Sequence, residues 1–292
     1  MSWLGELRLQ YRSEGGATRC HDAHSGPLRV LKALYPEGPG ICHSVLVHPP
    51  GGIVGGDELR LDLRLEPQAH ALLTTPGATR FYRSRGEPAQ QSARLHLGAQ
   101  SRLEWLPLEA IAHSGCQAGN RVEFSLDPGA QMLGWDVLAL GLPASQEPFV
   151  HGRFEQTLHW PGHWLERGAI AASDAVLLNS PLGLAGYRVM ATMWWASGTP
   201  MPAATREAMV EAARDACSGG AEHKQPAAAG PPEAPKLAAV ELGVTSTDER
   251  LVTVRALAHR VEPLMHRLIA VRAAWRAFAW GLAGEAPRLW RT

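Results

Sequence analysis

The sequence predicts an all-β protein, a sandwich, barrel or coiled sheet of many strands carrying two helices. Short segments with apolar residues at alternate positions recur along most of the chain, each closed by Gly, Pro or polar residues. Few helical intervals separate them, which argues against strands joined by crossover helices. Apolar residues at helical spacing are confined to two places, near 202–217 and near 260–282.

The strands follow in order. "WLGELRLQY" and "LRVLKALY" open the series, and "ICHSVLV" from Ile41 is apolar and rich in branched residues. "HPPGGIVGGD", His48 to Asp57, then breaks the chain with two prolines and four glycines. Next comes "ELRLDLRLE", in which Leu59, Leu61, Leu63 and Leu65 alternate with Arg60, Asp62, Arg64 and Glu66. A phosphate loop would run into a helix N-terminus and a Lys-Ser or Lys-Thr pair. Here a strand follows, so the stretch reads as a strand–loop–strand corner that positions Asp57. "HALLTT", "ARLHL", "RLEWL" and "RVEFSL" continue the pattern, the last placing Val122, Phe124 and Leu126 on one face before the turn Asp127-Pro128-Gly129. "AQMLGWDVLALG", "RFEQTLHW" and "YRVMATMWWA" complete it.

The first helix covers "PAATREAMVEAARDAC", rich in alanine and other good helix formers. It runs into a Pro/Ala/Gly stretch, 218–235, expected to be a mobile loop. In the C-terminal helix Val261, Leu264, Met265, Leu268, Ile269, Trp275, Phe278 and Leu282 form one apolar face, with Pro263 tolerated in the first turn. Core packing explains this stripe, with docking of a partner as the alternative. No linker separates the chain, so residues 1–292 are expected to form a single domain.

Composition narrows the function. The formal net charge is zero, which gives no basic field for nucleic acid or anionic membrane. No apolar run is long enough to cross a bilayer, and the charged start "MSWLGELRLQYRS" lacks the apolar core of a signal peptide. Cys20, Cys42, Cys116 and Cys217 include no C-x-x-C pair, which suggests reduced thiols and a cytoplasmic location.

Thirteen histidines invite a metal reading. Cys20, His21 and His24 lie in "CHDAH", Cys42 and His43 in "ICH", and His113 and Cys116 in "HSGC". Adjacent strand residues point to opposite faces, so Cys20-His21 and Cys42-His43 are poor chelates. His159 and His163 flank a Trp-Pro-Gly turn, and no G-x-S-x-G nucleophile motif occurs. No catalytic centre follows from these residues. Three carboxylates stand out instead. Asp57 closes the glycine corner, Asp136 lies inside apolar "MLGWDVLAL", and Glu166 sits in "WLERG" beside Arg167, its expected ion-pair partner on a purely structural reading. On that same reading Asp57 binds turn amides and Asp136 marks a strand bend. "TTPGATRFYRS" reads as a hairpin whose Phe81 and Tyr82 pack while Arg80 and Arg83 face solvent.

Together "HPPGGIVGGD", "LLTTPGATRFYRS", "LEWLP", "GWDVLALG", "WLERG", "SPLGLAG" and "PRLW" resemble the urease accessory protein family UreD, also called UreH, from about residue 38 to the C-terminus. The resemblance implies a non-enzymatic role in urease maturation. It implies binding to the urease apoprotein and UreF, recruitment of the GTPase UreG through UreF, and self-association of the accessory complex. Nickel would be a transported ion, with no cofactor tightly bound. It also implies a mainly β, coiled fold with an internal passage for the ion, and places Asp57, Asp136 and Glu166 along that passage. Isolated carboxylates suit transit better than a thiolate and imidazole cage, which would hold Ni²⁺ firmly. The competing readings are a β-rich metal-dependent hydrolase using the His/Cys clusters, and a docking adaptor through which no nickel passes.

Overall fold

The structure is a computed structural model describing residues 2–218 and 239–291. Two sheets face each other, and the chain alternates between them. Strands β1 (Leu4–Glu14) and β2 (Ala17–Ser25) belong to the first sheet, β3 (Arg29–Val30) and β4 (Ile41–Val47) to the second. β5 (Glu58–Leu65) returns to the first sheet and β6 (His70–Thr74) to the second, beside which lies short β7 (Thr79–Phe81). The alternation continues with β8 (Ala89–Leu97), β9 (Arg102–Leu106) and short β10 (Ala110–Ala112), then β11 (Gln117–Leu126) and β12 (Gln131–Leu142). After short β13 (Glu147–Pro148), β14 (Arg153–Trp160) and β15 (Trp164–Ala171) close the first sheet, and β16 (Val189–Ser197), β17 (Val240–Asp248) and β18 (Leu251–Ala258) extend the second.

This alternation makes the body a coil. Each strand returns to its sheet after visiting the other, so neighbours such as β5, β8, β11 and β14 run parallel, as do β4, β6, β9 and β12. Antiparallel pairs occur where the chain turns back within one sheet, at β1–β2, β14–β15 and β16–β18.

Three α-helices are present among the described residues. The 202–217 and 260–282 expectations correspond to α2 (Ala203–Ser218) and α3 (Val261–Trp280). A further short helix, α1 (Ala175–Asn179), was not legible in the sequence; the Asp174 carboxylate caps it by accepting the Leu177 amide. The expected strand "LRVLKALY" is reduced to Arg29–Val30 plus an isolated bridge between Leu34 and His43. β2, β15 and β17 were not anticipated, because exposed positions blur their alternation, nor was β18, which lies between β17 and β16 and is buried on both faces. Except for Ser218, the 218–235 stretch lies outside or at the limit of the described residues.

The second sheet is covered on both faces, and β12 shows the consequence. Met132, Leu138 and Leu140 point into the core between the sheets, while Leu133, Trp135, Val137 and Ala139 join the core under α2 and α3. A strand buried on both faces reads as a continuous apolar run. Gly134 belongs to this design: a Cβ there would lie 2.4 Å from the Trp194 ring, which stacks on Phe124 at 5.9 Å. Gly134→Val is expected to displace Trp194 and to destabilise the fold by about 1–3 kcal/mol, measured as a lower urea midpoint with altered tryptophan fluorescence.

The stripe of α3 is core packing, with two corrections. Phe278 is 48% exposed, whereas Arg272 and Arg276 are fully buried on the inward face. Both arginines reach Glu104 of β9, itself fully buried: Arg272 Nε donates to Oε2 at 2.7 Å, and Arg276 Nη1 donates to Oε1. Arg276 also donates through Nη2 to Glu37, whose other oxygen meets His43 Nε2 at 2.9 Å. The same guanidinium groups hold the C-terminal segment, Arg276 donating to the Ala283 carbonyl and Arg272 to the Glu285 carbonyl. The motif "PRLW" ends there, with Trp290 Nε1 donating to Thr74 Oγ1 at 2.8 Å.

Candidate functional site

The glycine corner carries the chain from β4 in the second sheet to β5 in the first, and it packs on the other long motif. Ile53 donates to the Arg80 carbonyl at 2.7 Å, and Tyr82 donates back to the Ile53 carbonyl at 2.8 Å. A Cβ at Gly52 would lie 2.1 Å from the Tyr82 ring, so glycine is required by close approach. The Phe81–Tyr82 segment is therefore no hairpin: β7 pairs in parallel with β10, and Phe81 is buried edge-on against Phe154.

Asp57 ties this corner. Its Oδ2 accepts the Val54 amide at 3.1 Å and its Oδ1 accepts the Trp3 amide at 3.0 Å, joining the corner to the start of β1. Two of roughly four lone-pair sites of the carboxylate are used. Asp57→Ala is expected to cost about 1 kcal/mol by removing two part-buried hydrogen bonds that tie the corner to β1, seen as a lower thermal midpoint.

Asp136 and Glu166 lie together, apart from Asp57. Asp136 sits mid-strand in β12, not at a bend, and faces the first sheet. There three inward positions of adjacent parallel strands carry amides in register: Gln91 of β8, Asn120 of β11 and Gln156 of β14. Gln91 Nε2 donates to Asn120 Oδ1 at 3.2 Å, Asn120 Nδ2 donates to Asp136 Oδ2 at 2.8 Å, and Gln156 Nε2 donates to Asp136 Oδ1. Burial, with a smaller contribution from the charge of Glu166, pushes the Asp136 carboxyl up to about 7 despite the two amide donors. Thr192, directly opposite Asp136 on β16, donates to Glu166 Oε1 at 2.5 Å. Arg255 of β18 grips Glu166 Oε2 through Nε at 3.0 Å and Nη2 at 2.7 Å. The expected partner, Arg167, is the next residue along β15 and points to the other face.

A polar seam thus crosses an apolar core. Beyond Gln91 lies a cavity of about 170 Å³ lined also by His48, Gly52, Thr75, Thr79 and Arg80. At the other end a more open cavity of about 390 Å³ is lined by Glu166, Thr192, Glu241 and Arg255. The charge of Asp57 is felt at His48, whose ring burial nevertheless holds mostly neutral. A wider concavity, about 660 Å³, is an open groove on the outer face of the first sheet, where Arg8, Asp62, Arg94 and Glu123 form an in-register ladder of alternating charge. Its charges offset one another and converge on no point.

Gln91, Asn120, Gln156 and Thr192 of the seam escaped the sequence reading, although two of them carried a signal. Asn120 continues the Val122–Phe124 phase two residues back, and Gln156 falls between Phe154 and Leu158 on the buried phase of β14. Polar residues in an apolar phase mark a buried network.

The His/Cys clusters do not assemble as sequence neighbours. His24 stands near Asp22 at 3.8 Å on the surface, and His43 pairs with Glu37. In "HSGC" the Cys116 amide donates to the His113 carbonyl at 3.0 Å, closing a turn; burial pushes the Cys116 thiol up to about 11. Among the described residues no three of His, Cys, Asp or Glu are placed to hold a metal ion together.

Residues 4–291 match the sequence family described as UreD urease accessory protein. The chain belongs to the UreD family. Urease accessory protein UreD of Leptothrix cholodnii is 53% identical over 294 residues, covering all of both chains. The protein of the same name from Methylibium petroleiphilum is 51% identical over 311 residues, again covering both in full, and that of Paracidovorax citrulli is 49% identical over 290 residues, covering 99% of each. The UreD motifs quoted above fall on the interlocked corners, the seam and the buried arginine clamp. No helix of the described residues is long and apolar enough to cross a membrane.

Proposed function

We propose that this UreD chain acts in the cytoplasm in urease maturation without turnover of its own, scaffolding UreF, and through it UreG, on the urease apoprotein while passing nickel along the inter-sheet seam. The observation that carries the reading is the run of oxygen-bearing side chains from Gln91 through Asn120, Asp136 and Gln156 to Thr192 and Glu166, with a cavity at each end. Carboxylate, amide and hydroxyl oxygens replace part of an ion's hydration without the grip of a thiolate set. Asp57 does not line the first cavity; it fixes the corner behind it and acts there through its charge on His48, while Asp136 and Glu166 supply charge further on.

The test is co-expression of urease subunits, UreF and UreG with the wild-type chain or with Asp57→Ala, Asp136→Leu or Glu166→Ala. Complex recovery, urease nickel content and urea hydrolysis are measured together. Normal complexes with depressed nickel and activity are expected. Normal nickel in all three variants would refute the seam and leave the docking adaptor. Unchanged urease nickel content and urea hydrolysis when the chain is omitted from the co-expression would refute the accessory role itself.

A further inference from the structure

We propose that Cys20 and Cys42 form a redox-active dithiol that closes reversibly into a disulfide joining the two sheets. Cys20 lies on β2, the edge strand of the first sheet, and Cys42 on β4 of the second; the two strands pack together, and the thiols are in hydrogen-bond contact. Both cysteines are free. Each was paired with a histidine in the sequence, and the fold instead pairs the two sulfurs across the sheets. The surrounding backbone is held in place: Thr18 Oγ1 donates to the Gly40 carbonyl at 2.8 Å, the Thr18 amide to the Pro39 carbonyl at 2.9 Å, and Tyr35 Oη to the Thr18 carbonyl at 3.0 Å. Tyr11, directly opposite Cys20 on β1, is buried and donates to Ser44 Oγ at 2.7 Å, closing the inner side of the pair.

Three features of the pair fit this role. Cys42 is wholly buried while Cys20 is partly exposed, so an oxidant reaches one sulfur and the other waits behind it. The hydrogen bond from Cys20, aided by Tyr35, Ser44 and the charge of Arg19, lowers the Cys42 thiol to about 7 against its burial. The pair therefore shares one proton near neutrality, held at rest on Cys20, whose thiol the Cys42 contact and burial push far up; Cys20 becomes the nucleophile as that proton passes to Cys42. Other charges near the pair are modest: Glu37 is engaged by His43 and Arg276.

With hydrogen peroxide as oxidant, the Cys20 thiolate attacks one peroxide oxygen. The O–O bond breaks, Cys20 becomes a sulfenic acid, and the departing hydroxide takes the proton of Cys42 to give water. The Cys42 thiolate then attacks the Cys20 sulfur, forming the S–S bond as hydroxide leaves and is protonated from solvent. Two electrons pass from the sulfurs to the peroxide, and a dithiol reductant reverses the change. Closure would clamp the edge strand of the first sheet to the segment that supplies Glu37 to the arginine network.

The experiment treats the purified full-length chain with hydrogen peroxide, blocks the remaining thiols, and maps the peptides by mass spectrometry. A linked peptide pair containing Cys20 and Cys42 is expected, reversed by dithiothreitol and accompanied by a raised unfolding midpoint. In Cys42→Ser, Cys20 is expected to stop at a sulfenic acid that dimedone traps. The wild-type map decides the matter even if a serine variant folds poorly. Overoxidation of Cys20 without linkage, oxidation falling first on Cys116 or Cys217, or cross-links only between separate chains would each overturn the proposal.

Discussion

Glu104→Ala is expected to destabilise the protein by about 3–5 kcal/mol, a large part of the roughly 5–15 kcal/mol that holds a typical native state. The variant leaves Arg272 and Arg276, both inaccessible to solvent, without the carboxylate they share. Arg276 keeps Glu37, and both keep carbonyls of the C-terminal segment, but these cannot balance two buried positive charges. His70 gives no relief. Its Nε2 lies 3.9 Å from Glu104, and burial with the charges of Arg102 and Arg276 lowers its pKa to about 3, so it stays neutral. Glu104→Leu combined with Arg272→Met and Arg276→Met is expected to recover most of the loss, because removing a whole buried ion network removes its desolvation cost as well. Urea denaturation of the single and triple variants measures the difference. A single variant within about 1 kcal/mol of wild type would show that the arginines are hydrated, not buried.

The same network shows where sequence reading stops. The helical period of the C-terminal segment was plain, and so were its limits, because apolar residues repeat at 3.6-residue spacing whatever they touch. Yet the period equally placed Arg272 and Arg276 on the inward stripe beside Leu268 and Trp275, and their charge argued against it. Only the partner, Glu104 of a strand far away in sequence, makes that placement affordable. The strand alternation of β5 and β12 was readable for the same local reason. The way strands are dealt between two sheets was not, since parallel neighbours such as Asp62 and Arg94 are joined by register and not by sequence. Asp136 and Glu166 were visible as carboxylates out of place. Their amide partners, and the choice of Arg255 over Arg167, depend on which strands lie side by side.

Asp136→Asn is expected to separate stability from nickel transfer. The folded carboxyl is pushed to about 7 from an ordinary 3.8, chiefly by burial. Between those values the unfolded chain has lost the proton while the folded chain retains it. The favourable balance present below pH 3.8 is therefore lost as pH rises toward about 7, beyond which the penalty is complete. Asparagine does not titrate, so the variant escapes this loss. Relative to wild type it should gain stability progressively from about pH 4 to pH 7, in proportion to the ordinary and shifted carboxyl values. Its amide can still accept from Asn120, and Gln156 can reverse its own amide to accept in turn. Urea midpoints across that range, for both proteins, test the sign.

Nickel transfer should respond in the opposite direction. The ion and the proton compete for the same carboxylate oxygens, so below about pH 7 wild-type Asp136 presents a neutral acid and transfer should slow. The asparagine variant offers one neutral oxygen at every pH. Urease matured with it should hold less nickel, and the shortfall should be greatest above neutrality, where the wild-type residue is charged. Metal content of urease isolated after maturation at two pH values reads this directly. A variant that is more stable yet matures urease fully would make Asp136 a structural acid and break the proposed path at its centre. A variant that is more stable and poorer at transfer would explain why a costly carboxylate stands in the middle of an apolar strand.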